Sequence, residues 1–200
     1  WLYSPSAQEV AGSDSQLGEL MSQIKAPHER LHNSAKEIIA SYRQIHPGLN
    51  ETLYLRLDDH RRWAESVSSS LIDNRELTVQ TDPAMCGFGK WLASEEVSAL
   101  ATRDPNFNQF VQEVTPPHNA LHQSAVRIND LIKYGNLSEA KQVFANQTIK
   151  HLEKVATLFH QVITHEGQLV AGQKTAGEIF RTKTLTELAN TQQILGQLQG

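Results

Sequence analysis

The sequence predicts an all-α protein: an antiparallel four-helix bundle made of two repeated helical hairpins, with a Cys-containing loop inserted between them. Glycine and proline number only 11 and 7 in 200 residues, which favours long helices. Hydrophobic residues make up 39% of the chain, which is typical of a bundle with a narrow apolar seam rather than of a thick α/β core. A histidine-containing segment occurs twice, which predicts that one hairpin is used twice.

The repeated segment reads PHERLHNSA at residues 27–35 and PHNALHQSA at residues 117–125. The histidine pairs, each with i, i+4 spacing, are His28 with His32 and His118 with His122. A helix places two such side chains on one face, one turn apart, where both imidazoles can bind the same metal ion. The alternative is a ring of solvated histidines that faces outward.

Apolar periodicity predicts four helices, at about 17–46, 51–72, 107–134 and 138–198. The third helix starts either near Phe107 or after Pro117, and glycines weaken the end of the fourth. Residues 75–102 differ from the rest, and we expect a loop there with a tight turn at Cys86, followed by a short helix from about Lys90 to Leu100. We interpret residues 1–200 as a single sensor domain with a core at about 50–145.

Six histidines from the four predicted helices lie at nearly the same level of the bundle, because a helix rises ~1.5 Å per residue. They are the two pairs together with His60 and His151. If the insertion folds back, Cys86 can join them as a ligand. Imidazole with thiolate favours zinc over magnesium or calcium, and a closed site with four protein ligands is structural or sensory in type.

Charge and cysteine content exclude several classes of protein. The net charge is −4 and the chain has no basic stripe, so we expect no nucleic-acid partner. A single cysteine, Cys86, excludes an internal disulfide. No apolar run is long enough to span a bilayer, and the chain begins without Met, so we expect it to belong to a longer protein.

Three segments resemble the chemoreceptor zinc-binding (CZB) domain, over roughly residues 50–145. DDHRRWAES contains a His-x-x-Trp motif at His60 and Trp63, MCGFGKWLAS contains a Cys-x-Phe-Gly-Lys-Trp motif from Cys86, and PHNALH contains a His-x-x-x-His motif. The resemblance implies zinc bound by His60, Cys86, His118 and His122. It also implies a helical regulatory domain that is often dimeric and is not an enzyme, usually in methyl-accepting chemotaxis receptors or diguanylate cyclases.

The leading functional hypothesis is a bacterial zinc-centred sensor that relays a signal to an attached output module. The signal is an oxidant acting on the thiolate, free zinc itself, or a small ligand bound by the bundle. A di-metal, oxygen-handling bundle of the hemerythrin kind is the alternative from another class. A zinc hydrolase is a further option, with Glu29 as the only nearby general base.

The repeat predicts a second metal or ligand site. It maps His28 onto His118, His32 onto His122 and His60 onto His151, so the exchanged trio is His28, His32 and His151. The trio lacks a thiolate and leaves a coordination position open. The alternative is a decayed repeat whose histidines only form hydrogen bonds.

The distribution of basic residues bears on location. Residues 1–24 and 184–200 contain neither Lys nor Arg, whereas cytoplasmic flanks of membrane spans are enriched in both. We therefore expect a periplasmic domain of an inner-membrane receptor, a homodimer inserted between two flanking spans. A cytoplasmic location is the alternative.

Overall fold

The computed structural model describes residues 4–42 and 44–197, without the side chain of Val10. Every regular element in these residues is helical, which confirms the all-α bundle. The α-helices are α1 (Pro5–Ser13), α2 (Ser15–Ser41), α3 (Leu49–Ile72), α4 (Gly87–Leu92), α5 (Glu95–Arg103), α6 (Pro105–Lys133), α7 (Leu137–Val143), α8 (Ile149–Ile179) and α9 (Leu185–Gln197). The predicted limits at residues 1, 198 and 200 lie outside the described residues.

Among the helices just named, none is both long enough and apolar enough to cross a membrane.

The chain divides into two compact units. The first unit consists of Trp1–Ile45 and Gly167–Gly200, and the second of His46–Glu166. That residues 1–200 act as one sensor domain stays a prediction.

The second unit has two apolar clusters at different levels of its long helices. One cluster joins α3, α6 and α8 with the short helices α4 and α5, and it includes Leu53, Phe88 and Phe159. The other joins the C-terminal parts of α3 and α6 to α7, and it includes Val67 and Ile128. The polar residues between these levels are therefore held in place from both sides by close-packed apolar groups.

Glycines form the turns beside two of the long helices. Gly48 precedes α3 with φ of 82°, and Gly135 follows α6 with φ of 77°. Both angles lie in the left-handed region, which glycine adopts without the steric cost of a Cβ atom.

The insertion differs from its prediction in one respect. Residues 73–86 are non-helical, as expected, but the single helix expected from Lys90 to Leu100 is wrong. Two helices occur there, α4 and α5, because Ser94 interrupts them and its hydroxyl accepts the Val97 N–H at 3.3 Å. A serine followed by two glutamates is a helix-start signal, so the sequence contained this break.

Prolines and glycines interrupt the long helices less than expected. The third helix begins at Pro105, near the first of the two predicted starts, and continues through Pro116 and Pro117. Helical residues also run without a break from Leu137 to Gln197, despite four glycines. Two π-helical turns lie within this run, at Phe144–Thr148 and Phe180–Thr184.

In the first unit, α2 packs against the second π-helical turn and α9. Two ion pairs join their surfaces, Arg30 to Glu187 at 2.7 Å and Lys183 to Glu37 at 2.6 Å. These charges are partly exposed, and ion pairs of this kind contribute little to stability.

Candidate metal centre

Four side chains converge between the two apolar clusters of the second unit. They are His60 of α3, Cys86 before α4, and His118 and His122 of α6. One ligand atom from each lies within 4.8 Å of the other three. The i, i+4 spacing places both histidines of α6 on one face, and α3 supplies the third imidazole from a facing helix.

The hydrogen bonds of two imidazoles leave their Nε2 atoms available for a metal ion. Nδ1–H of His60 donates to the Arg56 carbonyl at 2.6 Å, and Nδ1–H of His122 donates to the Gln80 carbonyl at 3.0 Å. The Nε2 atoms of both rings are buried and have no hydrogen-bond partner. A buried polar atom without a partner is costly, and a ligated metal ion removes that cost.

The sulfur of Cys86 completes the group. It lies 3.3 Å from Nε2 of His118, and the backbone N–H of Gly89 donates to it at 3.2 Å. In its thiol form, Cys86 donates to the Pro83 carbonyl at 3.3 Å. The Gly89 N–H and the His118 ring are thus both directed at the sulfur, the atom with which a cysteine binds a metal ion.

Burial keeps the three histidines in their neutral form. It lowers the pKa of His60 and of His122, and it lowers the pKa of His118 to about 3, with the neighbouring His60 and His122 adding to the shift. Only a neutral imidazole has a lone pair for a metal ion, so protons compete weakly for this site at neutral pH.

Aromatic rings enclose the imidazoles. The Phe88 ring lies 5.0 Å from that of His118, and the Trp63 ring lies 5.1 Å from that of His122. Trp63 also donates its indole N–H to the Gln80 carbonyl at 2.8 Å. The Gln80 carbonyl therefore accepts from both Trp63 and His122 and ties the insertion to α3 and α6.

The sequence reasoning missed the role of Gln80, because a backbone carbonyl gives no side-chain signal. The donor set, three imidazoles and one thiolate around buried Nε2 atoms, fits zinc. These four residues are the ones that the sequence resemblance implied.

The second predicted trio is divided between the two units. His28 and His32 lie on α2 in the first unit, with their Nε2 atoms 3.2 Å apart, and His151 lies on α8 in the second unit. A site formed by all three stays a prediction.

Comparison with known proteins supports the identification of the centre. Residues 60–129 match the family model of the chemoreceptor zinc-binding domain, which covers about a third of the chain and includes all four clustered side chains. Neither the curated proteins nor the solved structures contain a match to this chain. Residues 60–129 of this chain therefore form a chemoreceptor zinc-binding domain, with His60, Cys86, His118 and His122 as its candidate zinc site.

Proposed function

We propose that this zinc-binding domain senses oxidants through Cys86 and relays the change to an output module in the same protein. The position of Cys86 is the observation that carries the proposal. The three histidines are buried and lie on long helices, whereas Cys86 is half-buried and ends a non-helical segment. The centre therefore has one reactive ligand that can be reached and that belongs to a different structural element from the rest.

The chemistry requires a two-electron oxidant of the peroxide class. The Cys86 thiolate sulfur attacks one peroxide oxygen, so that an S–O bond forms, the O–O bond breaks and hydroxide leaves. The sulfur is oxidised to a sulfenic acid and the peroxide is reduced. Because a sulfenic acid is a poorer ligand than a thiolate, the centre loses one of its four ligands.

Loss of that ligand weakens the attachment of the insertion to α6. The Cys86 contact with His118 and the Gly89 bond to sulfur both depend on the sulfur at this position. Polar ties that do not involve the sulfur remain, among them the Gln80 carbonyl, held by Trp63 and His122, and the Leu77 N–H, which donates to Asn129 Oδ1 at 2.9 Å. A change in the packing of residues 73–104 against α3 and α6 would be the signal passed along these helices.

The test measures zinc release against Cys86 oxidation. The zinc-loaded protein is treated with hydrogen peroxide, while a chelating dye reports released zinc and mass spectrometry reports the Cys86 sulfenic acid. We expect the two to rise together. Cys86→Asp, which replaces the thiolate with a carboxylate ligand, should release no zinc on peroxide treatment. Zinc retention by the oxidised wild type would refute the proposal.

Binding of a small ligand is the second candidate, because the second unit contains a cavity of about 270 Å³. Leu49, Phe107, Phe110 and Leu158 form its apolar walls, while Asp104, Glu113 and Glu166 supply carboxylates. Ring contacts lead from Phe107 to Trp91 at 6.0 Å and from Trp91 to Phe88 at 5.6 Å, beside His118. An aliphatic amine would suit the cavity, and calorimetry with the zinc-loaded protein tests it.

The hemerythrin-like alternative is less well supported. It requires carboxylates that bridge two metal ions, and none of the four clustered side chains is a carboxylate. Metal analysis that finds iron in place of zinc would reverse this preference.

We also propose that the domain lies outside the cytoplasm, between membrane spans of a longer receptor. The support is the lack of Lys and Arg in residues 1–24 and 184–200. A reporter fused at residue 100 should be active only if it is of a kind that works in the periplasm. Activity of a cytoplasm-only reporter at that position would refute the proposal.

A further inference from the structure

The two copies of the repeated segment make the same unusual contact in both units. The Ser124 hydroxyl donates to the Leu121 carbonyl at 2.6 Å and lies 2.7 Å from the Thr148 hydroxyl, at the end of the first π-helical turn. The Ser34 hydroxyl donates to the Leu31 carbonyl at 2.7 Å and lies 2.9 Å from the hydroxyl of Thr184.

Each threonine ends a five-residue π-helical turn that begins with phenylalanine. The α2 helix therefore packs on its π-helical turn as α6 packs on its own, and the histidine pairs of the two helices occupy equivalent positions.

The helix face that carries the histidine pair is buried in the second unit and largely exposed in the first. In the second unit, α3 and the insertion cover the face of α6, so that His122, Ala125 and Ile128 are each 0% exposed. The equivalent residues of α2 are His32 and Ala35, which are exposed, and Ile38, which is only partly buried. The face of α2 that carries the histidine pair is thus the counterpart of a buried helix–helix interface.

His28 and His32 have the geometry of two ligands that bind the same metal ion. The Nε2 atoms of His28 and His32 lie 3.2 Å apart. Two metal–nitrogen bonds of 2.0–2.1 Å at a tetrahedral angle place their nitrogens about 3.3 Å apart. Among the described residues, Glu29, Asn33 and Lys36 line the same spot. The two imidazoles of one copy can supply two of the four ligands that zinc takes.

We propose that His28 and His32 form half of a zinc site that a second copy of this chain completes. His28, His32, Ala35 and Ile39 follow one another at intervals of four, three and four residues, the spacing of a coiled-coil seam. Ile39, which is 73% exposed, would be the apolar residue at the end of this seam.

Parallel pairing of two α2 helices about a twofold axis places identical residues opposite each other, so two histidine pairs meet as four imidazoles. The site lies outside the Cys86 centre and does not depend on the sensing function proposed above.

The number of zinc ions bound per chain tests whether two copies share the His28/His32 site. The full chain is dialysed against buffered free zinc, and its zinc content and molar mass are then measured. In a dimer, each chain has its own Cys86 centre, which we call the private centre, and the two chains share one site formed by their histidine pairs. This gives about 1.5 zinc ions per chain. His28→Ala/His32→Ala should bind about 1.0 zinc ion per chain, which is the private centre alone. A wild-type value near 1.0 would show that the second site does not exist, and a value near 2.0 would show that it is private; either overturns the proposal.

Two further variants distinguish the shared site from a site completed by His151 and from a dimer formed through another surface. His151→Ala is the matched histidine control, and we expect it to keep the wild-type stoichiometry; a fall would assign the third ligand to His151 and refute the shared site. Ile39→Glu leaves all metal ligands in place but puts a charge into the seam. We expect it to weaken dimerisation at least 10-fold, and an unchanged dimerisation constant would refute the α2 interface.

Discussion

The sulfur of Cys86 lies 3.3 Å from Nε2 of His118, and this contact joins the non-helical part of the insertion to the middle of α6. The two residues approach because Phe88 packs into the apolar cluster beside them, with its ring 5.0 Å from the His118 ring. The insertion is therefore held at two positions only two residues apart, the apolar side chain of Phe88 and the candidate metal ligand Cys86.

The first prediction concerns the thiolate. Cys86→Ser replaces sulfur with a hydroxyl that is a much weaker zinc ligand, so zinc affinity should fall about 100-fold or more, equal to about 2.8 kcal/mol. Competition with a chromophoric chelator measures this change. Met85→Ala, at the exposed neighbouring position, should bind zinc as the wild type does. Equal affinities of Cys86→Ser and the wild type would remove Cys86 from the ligand set.

The four side chains of the candidate centre could be named from the sequence because each lies in a short motif with fixed spacing. The conformation that brings Cys86 to the histidines could not be predicted. It depends on a close approach of two backbones, in which a Cβ atom on Gly89 would lie 1.8 Å from the Pro83 carbonyl oxygen. Such an approach is a tertiary contact, and a glycine alone does not indicate which backbone it meets.

The second prediction concerns that approach. Gly89→Ala would push Pro83 away from α4, and this should cost on the order of 2–4 kcal/mol of unfolding free energy and weaken zinc binding. Gly167→Ala is the control, since a Cβ atom there meets nothing within 4 Å. It should stabilise the helix by up to about 1 kcal/mol. Thermal unfolding of both variants measures the difference, and a stable, zinc-binding Gly89→Ala variant would contradict the packing.

The third prediction concerns the Gln80 carbonyl. Trp63→Phe removes the indole N–H that holds this carbonyl, while the ring beside His122 is kept in part. Loss of an outer-shell hydrogen bond typically lowers metal affinity 10- to 100-fold, so we expect about a 10-fold loss. Tyr54→Phe, on the exposed surface of α3, is the control and should change nothing. A zinc affinity of Trp63→Phe equal to that of the wild type would exclude the carbonyl from orienting His122.

The fourth prediction concerns acid stability of the zinc-free protein. Burial lowers the folded-state pKa of His60 and His122, and it lowers that of His118 to about 3, against roughly 6.5 when unfolded. Below pH 6.5 the unfolded chain binds more protons than the folded one, so the stability present above that pH is lost as pH falls towards 3. Urea titrations in chelator between pH 4 and 8 measure this loss. His118→Gln should flatten the pH dependence, and an equal slope in that variant would contradict burial of a neutral His118.

Sequence reasoning identified the repeat but not its packing partners. The duplicated His-Leu-His-Ser pattern marks α2 and α6, yet nothing in it indicates that Ser34 and Ser124 meet threonines at the ends of π-helical turns. A π-helical turn adds one residue to a helical turn and shifts the face that follows, and apolar periodicity does not record this shift. The partner of each serine therefore could not be found by counting along the chain.

The last prediction uses that repeated contact. Because the Ser124 proton goes to the Leu121 carbonyl, the Thr148 hydroxyl donates to Ser124. Ser124→Ala leaves the buried Thr148 donor without its acceptor and should cost about 1–3 kcal/mol. Adding Thr148→Val removes that donor, so the double variant should be more stable than Ser124→Ala alone.

Ser34→Ala is the matched variant in the first unit. Thr184 is only partly buried, so water can replace the lost acceptor and the cost should be smaller than for Ser124→Ala. Urea unfolding of these three variants and of Thr148→Val alone measures these differences. Equal losses at Ser34 and Ser124, or additive effects of Ser124→Ala and Thr148→Val, would show that these hydroxyls do not form a coupled pair.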